Sequence, residues 1–246
     1  MKKNIILDLL IDNIKTLFYA LVIAVIIRSF LIQPFYIPSS SMEPTLLVGD
    51  RIFVSKLSYG YSKHSLPFSP PIYNRRVLAT APNYGDLVVF KTPADNRTDY
   101  IKRLIGLPGD KIQFINGKVK INENYIIRKL VSTNYEIRCG SSNIEVNAYE
   151  EILPNGSKYI AVYKKEGSYQ NSDVFTVPKN NYFFLGDNRD CSKDSRYLSS
   201  VGFVKDINLV GKAQIIFFSN DTINGSMLNI FNLHNSFRLK RLFKIL

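Results

Sequence analysis

Two side chains open the chemical reading: a serine hemmed in by prolines and a lysine flanked by apolar residues. The segment Ile37 to Asp50 reads IPSSSMEPTLLVGD, with Ser39, Ser40 and Ser41 between Pro38 and Pro44. Proline restricts the backbone at its own position and just before it, which predicts a stiff, extended serine cluster. A hydroxyl there is either a nucleophile or part of a solvated loop, and the segment alone does not choose. The segment Asp99 to Asp110 reads DYIKRLIGLPGD. As a strand it puts Tyr100, Lys102 and Leu104 on one face and Arg103 on the other. A lysine between two large apolar neighbours loses water, and desolvation disfavours its ammonium form. Service as a base near neutral pH requires its pKa to fall from ~10.4 to about 7, a cost of roughly 4 kcal/mol. The alternative is a solvated surface lysine. A third segment, GDNRDCSKDSRYLSSVGFV at Gly186 to Val204, predicts a tight hydrogen-bonded loop or a salt-bridged turn.

Other chemistries are excluded by what is missing. The two histidines, His64 and His234, lie in a proline-rich stretch and just before a basic tail. With no G-x-S-x-G elbow, a Ser-His-Asp triad is implausible. No H-E-x-x-H, P-loop or S-x-x-K pattern occurs, so a hydrolase built from these residues needs a different base. Cys139 and Cys191 are too few for a disulfide framework and wrongly spaced for zinc. Two free thiols are the plainer expectation, and one bridge in an oxidising compartment is the alternative.

The elements that must position these groups follow a simple order. Leu17 to Ile32 (LFYALVIAVIIRSFLI) is apolar apart from Arg28 and Ser29 and predicts an uncleaved membrane anchor, with Arg28 snorkelling to the interface. A buried core helix and a cleaved signal peptide are the competing readings; the following Gln-Pro-Phe-Tyr-Ile-Pro lacks the small residues that cleavage requires. Lys2, Lys3 and Lys15 favour a cytoplasmic N-terminus, although Arg28 blurs the contrast. After the anchor come short β-like runs: Arg51 to Leu57, Leu87 to Lys91 and Gln214 to Phe218, with turn signals at Asn116-Gly117 and Pro154-Asn155-Gly156. The predicted fold class is therefore mostly β.

Tyr59 to Tyr84 predicts an extended loop or hairpin, and Lys111 to Lys179 a strand-rich cap or inserted lobe without recognisable chemistry. The expected layout is residues 1–13 cytoplasmic, 14–34 anchor, 35–110 and 180–225 catalytic core, 111–179 inserted cap and 226–246 basic tail. The last eleven residues, SFRLKRLFKIL, separate apolar from basic residues on a helical wheel, which predicts either a membrane-surface helix or docking on the core. The 246 residues carry 32 Lys plus Arg against 20 Asp plus Glu, a formal charge of +12 that favours an anionic partner. Without zinc-finger spacing or an RNA-binding aromatic motif, a lipid surface is the better partner than nucleic acid.

Together these segments resemble the bacterial type I signal peptidases. The resemblance runs through R-S-F at Arg28 to Phe30, S-x-S-M-x-P-T at Ser39 to Thr45, G-D-R-I at Gly49 to Ile52 and G-D-x-V-V-F at Gly85 to Phe90. It continues through Y-I-K-R and G-L-P-G-D at Tyr100 to Asp110, then G-D-N-R-D and D-S-R at Gly186 to Arg196. It implies a signal-peptidase-like β core, a Ser41 nucleophile and a Lys102 general base. The Ser39 hydroxyl and the Ser41 N–H would form the oxyanion hole, and Ser192 would orient the lysine ammonium. Asp187, Asp194 and Arg196 would support the site, while Phe35, Ile37, Leu46, Val89, Tyr100 and Ile101 would line shallow pockets for small side chains.

No metal and no cofactor are implied. Cys191 departs from the asparagine of many relatives and leaves the packing of that loop open. The implied partners are secreted preproteins and membrane lipid, with no nucleic acid. The implied place is the bacterial inner membrane, single-pass, with the catalytic domain on the outer, periplasmic face. Nine residues separate Ile32 from Ser41, a reach of at most about 30 Å, which would hold the serine near the bilayer surface. A self-cleaving Ser–Lys regulator would need a DNA-binding module, and a silent scaffold would have no need of Ser41 or Lys102.

Overall fold

The computed structural model describes residues 2–71, 75–140, 142–221 and 237–246. The long apolar run forms helix α1 (Lys2–Phe30). Within it, the 22 residues Leu9–Phe30 are apolar enough to cross a membrane, and all but the buried Ser29 are exposed. At 1.5 Å per residue that span is about 33 Å, close to the hydrocarbon thickness of a bilayer. The helix starts earlier than the anchor expected at 14–34 and stops before its end. Chain pairing accounts for the early stop, because β1 (Ile32–Tyr36) already runs antiparallel to β2 (Asp50–Ser55).

The rest is mostly β, as the short apolar runs predicted. β3 (Leu87–Lys91), β4 (Asp99–Gly106), β12 (Asn181–Leu185), β13 (Val204–Lys205) and β14 (Leu209–Ser219) complete a curled sheet ordered β1-β2-β14-β3-β4-β12-β13. β5 (Lys111–Ile115), β6 (Lys118–Ile121), β7 (Asn124–Tyr125) and β11 (Phe175–Thr176) form a second sheet; β8 (Ile127–Cys139), β9 (Ser142–Ile152) and β10 (Lys158–Lys164) form a third. The turn between β5 and β6 is Asn116-Gly117, both at positive φ (49° and 71°), the hairpin geometry those two residues favour.

Region 111–179 shares its core with the main sheet. Ile112, Phe114, Tyr159 and Tyr163 pack in one cluster with Ile105 of β4 and Phe183 and Leu185 of β12. A second cluster, including Ile37, Leu46, Val54, Val89 and Ile216, fills the space between β1, β2, β3 and β14.

The tail departs from the helical expectation. Residues 226–236 of that tail, with His234, lie outside the described residues. Beyond them the chain makes one 3-10 turn, Leu239–Arg241, and a short strand β15 (Lys244–Ile245) that pairs with Ile215 and Ile216 of β14. The cause is a buried acceptor: Asp50 receives Arg241 Nη2 at 2.5 Å, Leu47 N–H at 2.8 Å and the Ser219 hydroxyl at 2.6 Å. Arg238 also donates to the Val48 carbonyl at 2.8 Å. Docking on the core, one of the two readings of the tail, is what the described residues do.

The cysteines overturn the free-thiol expectation: Cys139 and Cys191 form a disulfide across 52 residues of sequence. The folded sheets bring the end of β8 against the Gly186–Arg196 loop, a juxtaposition that spacing alone does not reveal. Closing a loop of that length contributes about 4 kcal/mol in the chain-entropy model. Cys139→Ser, or reduction of the intact protein, is expected to lower Tm by roughly 5–15 °C in thermal melts of the detergent-solubilised chain. An unchanged melt would show that the bridge does not constrain the fold.

Candidate active site

Ser41 sits in the 3-10 turn Ser40–Met42, not on an extended run. Ser39 alone is extended (φ −128°, ψ 146°), and its Oγ accepts the Ser41 N–H at 3.2 Å. A hydroxyl bonding forward to the backbone caps a turn and competes with extension. The Ser39 hydroxyl also donates to Ser41 Oγ at 3.1 Å.

Distant elements hold this turn. The Asn188 N–H donates to the Ser41 carbonyl at 3.2 Å. Asn188 Nδ2 donates to the carbonyls of Ser40, at 3.1 Å, and of Arg138, at 2.9 Å. Glu43 Oε2 accepts the Arg138 N–H at 2.7 Å; burial raises its pKa against the pull of that amide. The Thr45 hydroxyl donates to Asp187 Oδ2 at 2.5 Å. Gly186 packs where a Cβ would come within 2.2 Å of Ser192 Oγ and 2.5 Å of the Ser41 carbonyl, so only glycine lets the two segments meet.

Lys102 comes from β4, paired with Val88 of β3, and is 4% exposed. Its Nζ donates to Ser41 Oγ at 2.6 Å and to the Ile101 carbonyl at 3.0 Å, and lies 5.3 Å from the Tyr100 ring centre. Burial lowers its pKa to about 8, against the raising influence of Asp194 and then Asp187. At pH 7 about one amine in ten is then neutral, against fewer than one in a thousand for an ordinary lysine. A buried amine in contact with a serine hydroxyl can exchange a proton with it and make its oxygen a nucleophile.

The carboxylates near the amine are already committed. Asp187 takes both Arg103 Nε, at 2.7 Å, and Arg103 Nη2, at 2.6 Å. Asp194 takes Arg196 Nε at 2.8 Å and the Gly186 N–H at 3.0 Å. The structure brings Asp187, Asp194 and Arg196 around Ser41 and Lys102. Ser192 is buried beside them, yet its hydroxyl has no hydrogen-bond partner among the described residues and does not hold the lysine here.

A cavity of about 370 Å³ opens at Ser41 and Lys102, with Ile37, Tyr100 and Ile101 as its apolar wall and Ser39, Cys191 and Lys193 at its margin. Of the expected pocket residues, Leu46 and Val89 do not line it. Both are fully covered and belong to the core cluster beneath Ile37, because β1, β2 and β3 close over them. Phe35 lines a neighbouring cavity instead.

Several supporting residues escaped the sequence reading. Asn188 and Arg189 stood inside a quoted box without a role. Glu151 gave no signal at all, yet it is fully buried, pairs with Arg189 at 2.6 Å and accepts from Tyr159 and Tyr163 at 2.6 Å each. β10 also meets the loop directly, through Val162 N–H to the Asp187 carbonyl at 2.9 Å and Lys164 N–H to Asp190 Oδ2 at 2.9 Å.

Residues 10–218 match the family model described as signal peptidase, peptidase S26. The chain belongs to this family. Signal peptidase I of Rickettsia typhi is 44% identical over 244 residues, spanning 92% of this chain and 90% of the relative. Signal peptidase I of Rickettsia prowazekii is likewise 44% identical over 244 residues, with the same coverage of both chains. A solved signal peptidase I from Enterococcus faecalis is 28% identical and covers 54% of this chain and 97% of its own, at a TM-score of 0.34. Family membership rests on the sequence matches. The enzyme is thus a type I signal peptidase hydrolase whose substrates are secreted preproteins.

A buried lysine carries a stability cost with a definite sign. Its folded pKa lies below its unfolded one, so the penalty is fully present below pH 8 and disappears as pH rises to about 10.5. That difference is worth about 3 kcal/mol. Lys102→Met is expected to raise stability at pH 7 by about 1–3 kcal/mol, the gap closing between pH 8 and 10.5. Denaturant titrations at three pH values check this, and a variant less stable at pH 7 would contradict it.

Proposed function

We propose that the enzyme is a membrane-anchored endopeptidase in which Ser41 attacks the scissile carbonyl of a signal peptide and Lys102 is its general base. The observation that carries this reading is the 2.6 Å contact between Lys102 Nζ and Ser41 Oγ, two side chains that are both buried. Neutral Lys102 takes the Ser41 proton as Oγ bonds to the carbonyl carbon, then gives it to the departing amine. The resulting acyl-enzyme is hydrolysed by a water that the same amine deprotonates.

The oxyanion would accept from the Ser39 hydroxyl and the Ser41 N–H. These two groups now bond within the Ser39–Ser41 pair, so substrate would exchange those contacts for its own. Asp187, Asp194 and Arg196 would fix the loop behind the lysine, and Ser192 would receive its ammonium after a side-chain rotation. Ile37, Tyr100 and Ile101 would meet the residues beside the cut, with Phe35, Leu46 and Val89 backing them. Pairing supports a strand-like substrate: β12 reaches only Arg103 to Gly106 of β4, leaving that edge open at Asp99 to Ile101 among the described residues.

The anchor reading draws on α1, and the proposed place is the inner membrane with the catalytic domain on its outer face. The Cys139–Cys191 bridge supports an oxidising compartment, and Lys2, Lys3 and Lys15 favour a cytoplasmic N-terminus.

Detergent-solubilised enzyme incubated with a preprotein is expected to cut after a small residue that has another small residue two positions earlier, read by mass mapping. Ser41→Ala and Lys102→Ala should each lower kcat/KM by at least about 10³-fold while the protein stays folded. Undiminished cleavage by either purified variant would sink the dyad.

Because the base must be neutral, kcat/KM should rise with pH and level off above an apparent pKa of about 8. A profile flat from pH 6 to 10 would remove Lys102 from the base role.

A further inference from the structure

A second cavity, of about 360 Å³, lies where α1 meets the sheet. Its walls come from the last turn of α1, the start of β1, the end of β2, the loop at residues 64–69 and the β3–β4 turn. Four cations face it: Arg28, Lys56, Lys91 and Arg97. The one carboxylate, Asp99, is tied to Lys91 at 2.9 Å, so that pair cancels. The guanidinium groups of Arg28 and Arg97 have no hydrogen-bond or ion-pair partner among the described residues, and Lys56 Nζ reaches only the Ser65 carbonyl, at 2.6 Å.

Lys56 is 2% exposed. A buried ammonium without a carboxylate partner is costly in a folded protein. Burial first, and then the nearby Arg28 charge, hold its pKa down at about 8. Protonated Lys56 would be stabilised by any anion in the cavity. His64 adds a neutral donor. Its Nδ1 faces Ser69 Oγ at 3.0 Å, and its buried Nε2 has no partner among the described residues. With Nδ1 accepting the Ser69 hydroxyl, the ring proton sits on Nε2. Burial, reinforced by Lys63, Lys91 and Arg76, lowers the His64 pKa to about 4, so the ring is neutral at physiological pH.

Position selects the kind of anion. Arg28 is in the last turn of the apolar span Leu9–Phe30, which places the cavity at the level where a bilayer's phosphates lie. Phe68, on the cavity wall, is fully exposed at 103%, as suits a ring dipping into the interface.

We propose that this cavity binds the phosphate of an anionic phospholipid, with Arg28, Lys56 and Arg97 as the charge partners and His64 as a neutral donor. The inference rests on the reading of α1 as a membrane anchor. A phosphodiester lacking a compensating amine fits best, because a zwitterionic headgroup would bring an ammonium toward three cations. Asp99 lines both this cavity and the one at Ser41, so a seated headgroup would border the stretch of β4 proposed to receive substrate.

The test uses the full chain in zwitterionic detergent or nanodiscs, titrated with phosphatidylglycerol, with phosphatidylcholine or with inorganic phosphate, and read by native mass spectrometry. Phosphatidylglycerol should bind, and phosphatidylcholine at the same mole fraction should not. Inorganic phosphate at millimolar concentration should fail to displace the lipid. Arg97→Gln, on an exposed turn, should weaken binding about fivefold, and Lys56→Gln with Arg97→Gln about 30-fold. Equal binding by the Arg97→Gln variant and the parent, or equal affinity for the two lipids, would overturn the proposal. Displacement by phosphate would overturn the lipid assignment in favour of a free-anion site. Carbonate extraction separates the two readings: a chain released from membranes would remove the anchor, whereas a retained chain without lipid selectivity would remove only this site.

Discussion

The proposed dyad depends on keeping one amine out of water while leaving it able to lose its proton. Desolvation alone would push Lys102 further down, and a free carboxylate beside it would push it back toward its ordinary value. The structure does neither to excess. Asp187 and Asp194 both raise the lysine's pKa, yet each is bonded to an arginine, Arg103 and Arg196, whose charge offsets much of its field. The amine is left near pH 8, between a permanent ammonium and a permanently neutral group. Two buried ion pairs, which would be a doubtful source of stability, here set an electrostatic level.

That level is maintained by parts of the chain that carry no reactive group. Arg103 lies against the Tyr159 ring at 4.4 Å, and Tyr159 also bonds Glu151, the partner of Arg189. The inserted region is therefore a wall of the Gly186–Arg196 loop: its apolar residues enter the main core, and its backbone bonds to Asp187 and Asp190. Asn188 joins all three parts, touching the serine turn, β8 and its own loop.

Local physics was the legible part of the sequence. Asn116-Gly117 specified a hairpin because both residues tolerate positive φ, and Leu87 to Lys91 read as a short β-like run, which is the buried strand β3. Ser41 and Lys102 were each ambiguous alone; the ordered boxes joined them, and the structure puts them in contact. What stayed hidden depends on partners far away. The basic tail has a helical pattern, but Asp50 and the open edge of β14 draw it into a turn and a strand. Glu151 looked like any strand-borne acid, and the disulfide needed the fold to bring its halves together. Leu46 and Val89 carried the expected type but sit one layer deeper than the cavity wall.

The sequence distances across the site have a temporal meaning. Lys102 is 61 residues from Ser41, Asp187 is 142 from Thr45, Asn188 is 148 from Ser40 and Ser219 is 169 from Asp50. Contacts of such high order form late, after the loop-closure entropy between them has been overcome. On a growing chain, α1 and the serine turn emerge long before the residues that clamp them. The serine turn therefore stays unclamped until nearly the whole chain is made and folded, and arming is a property of the finished molecule.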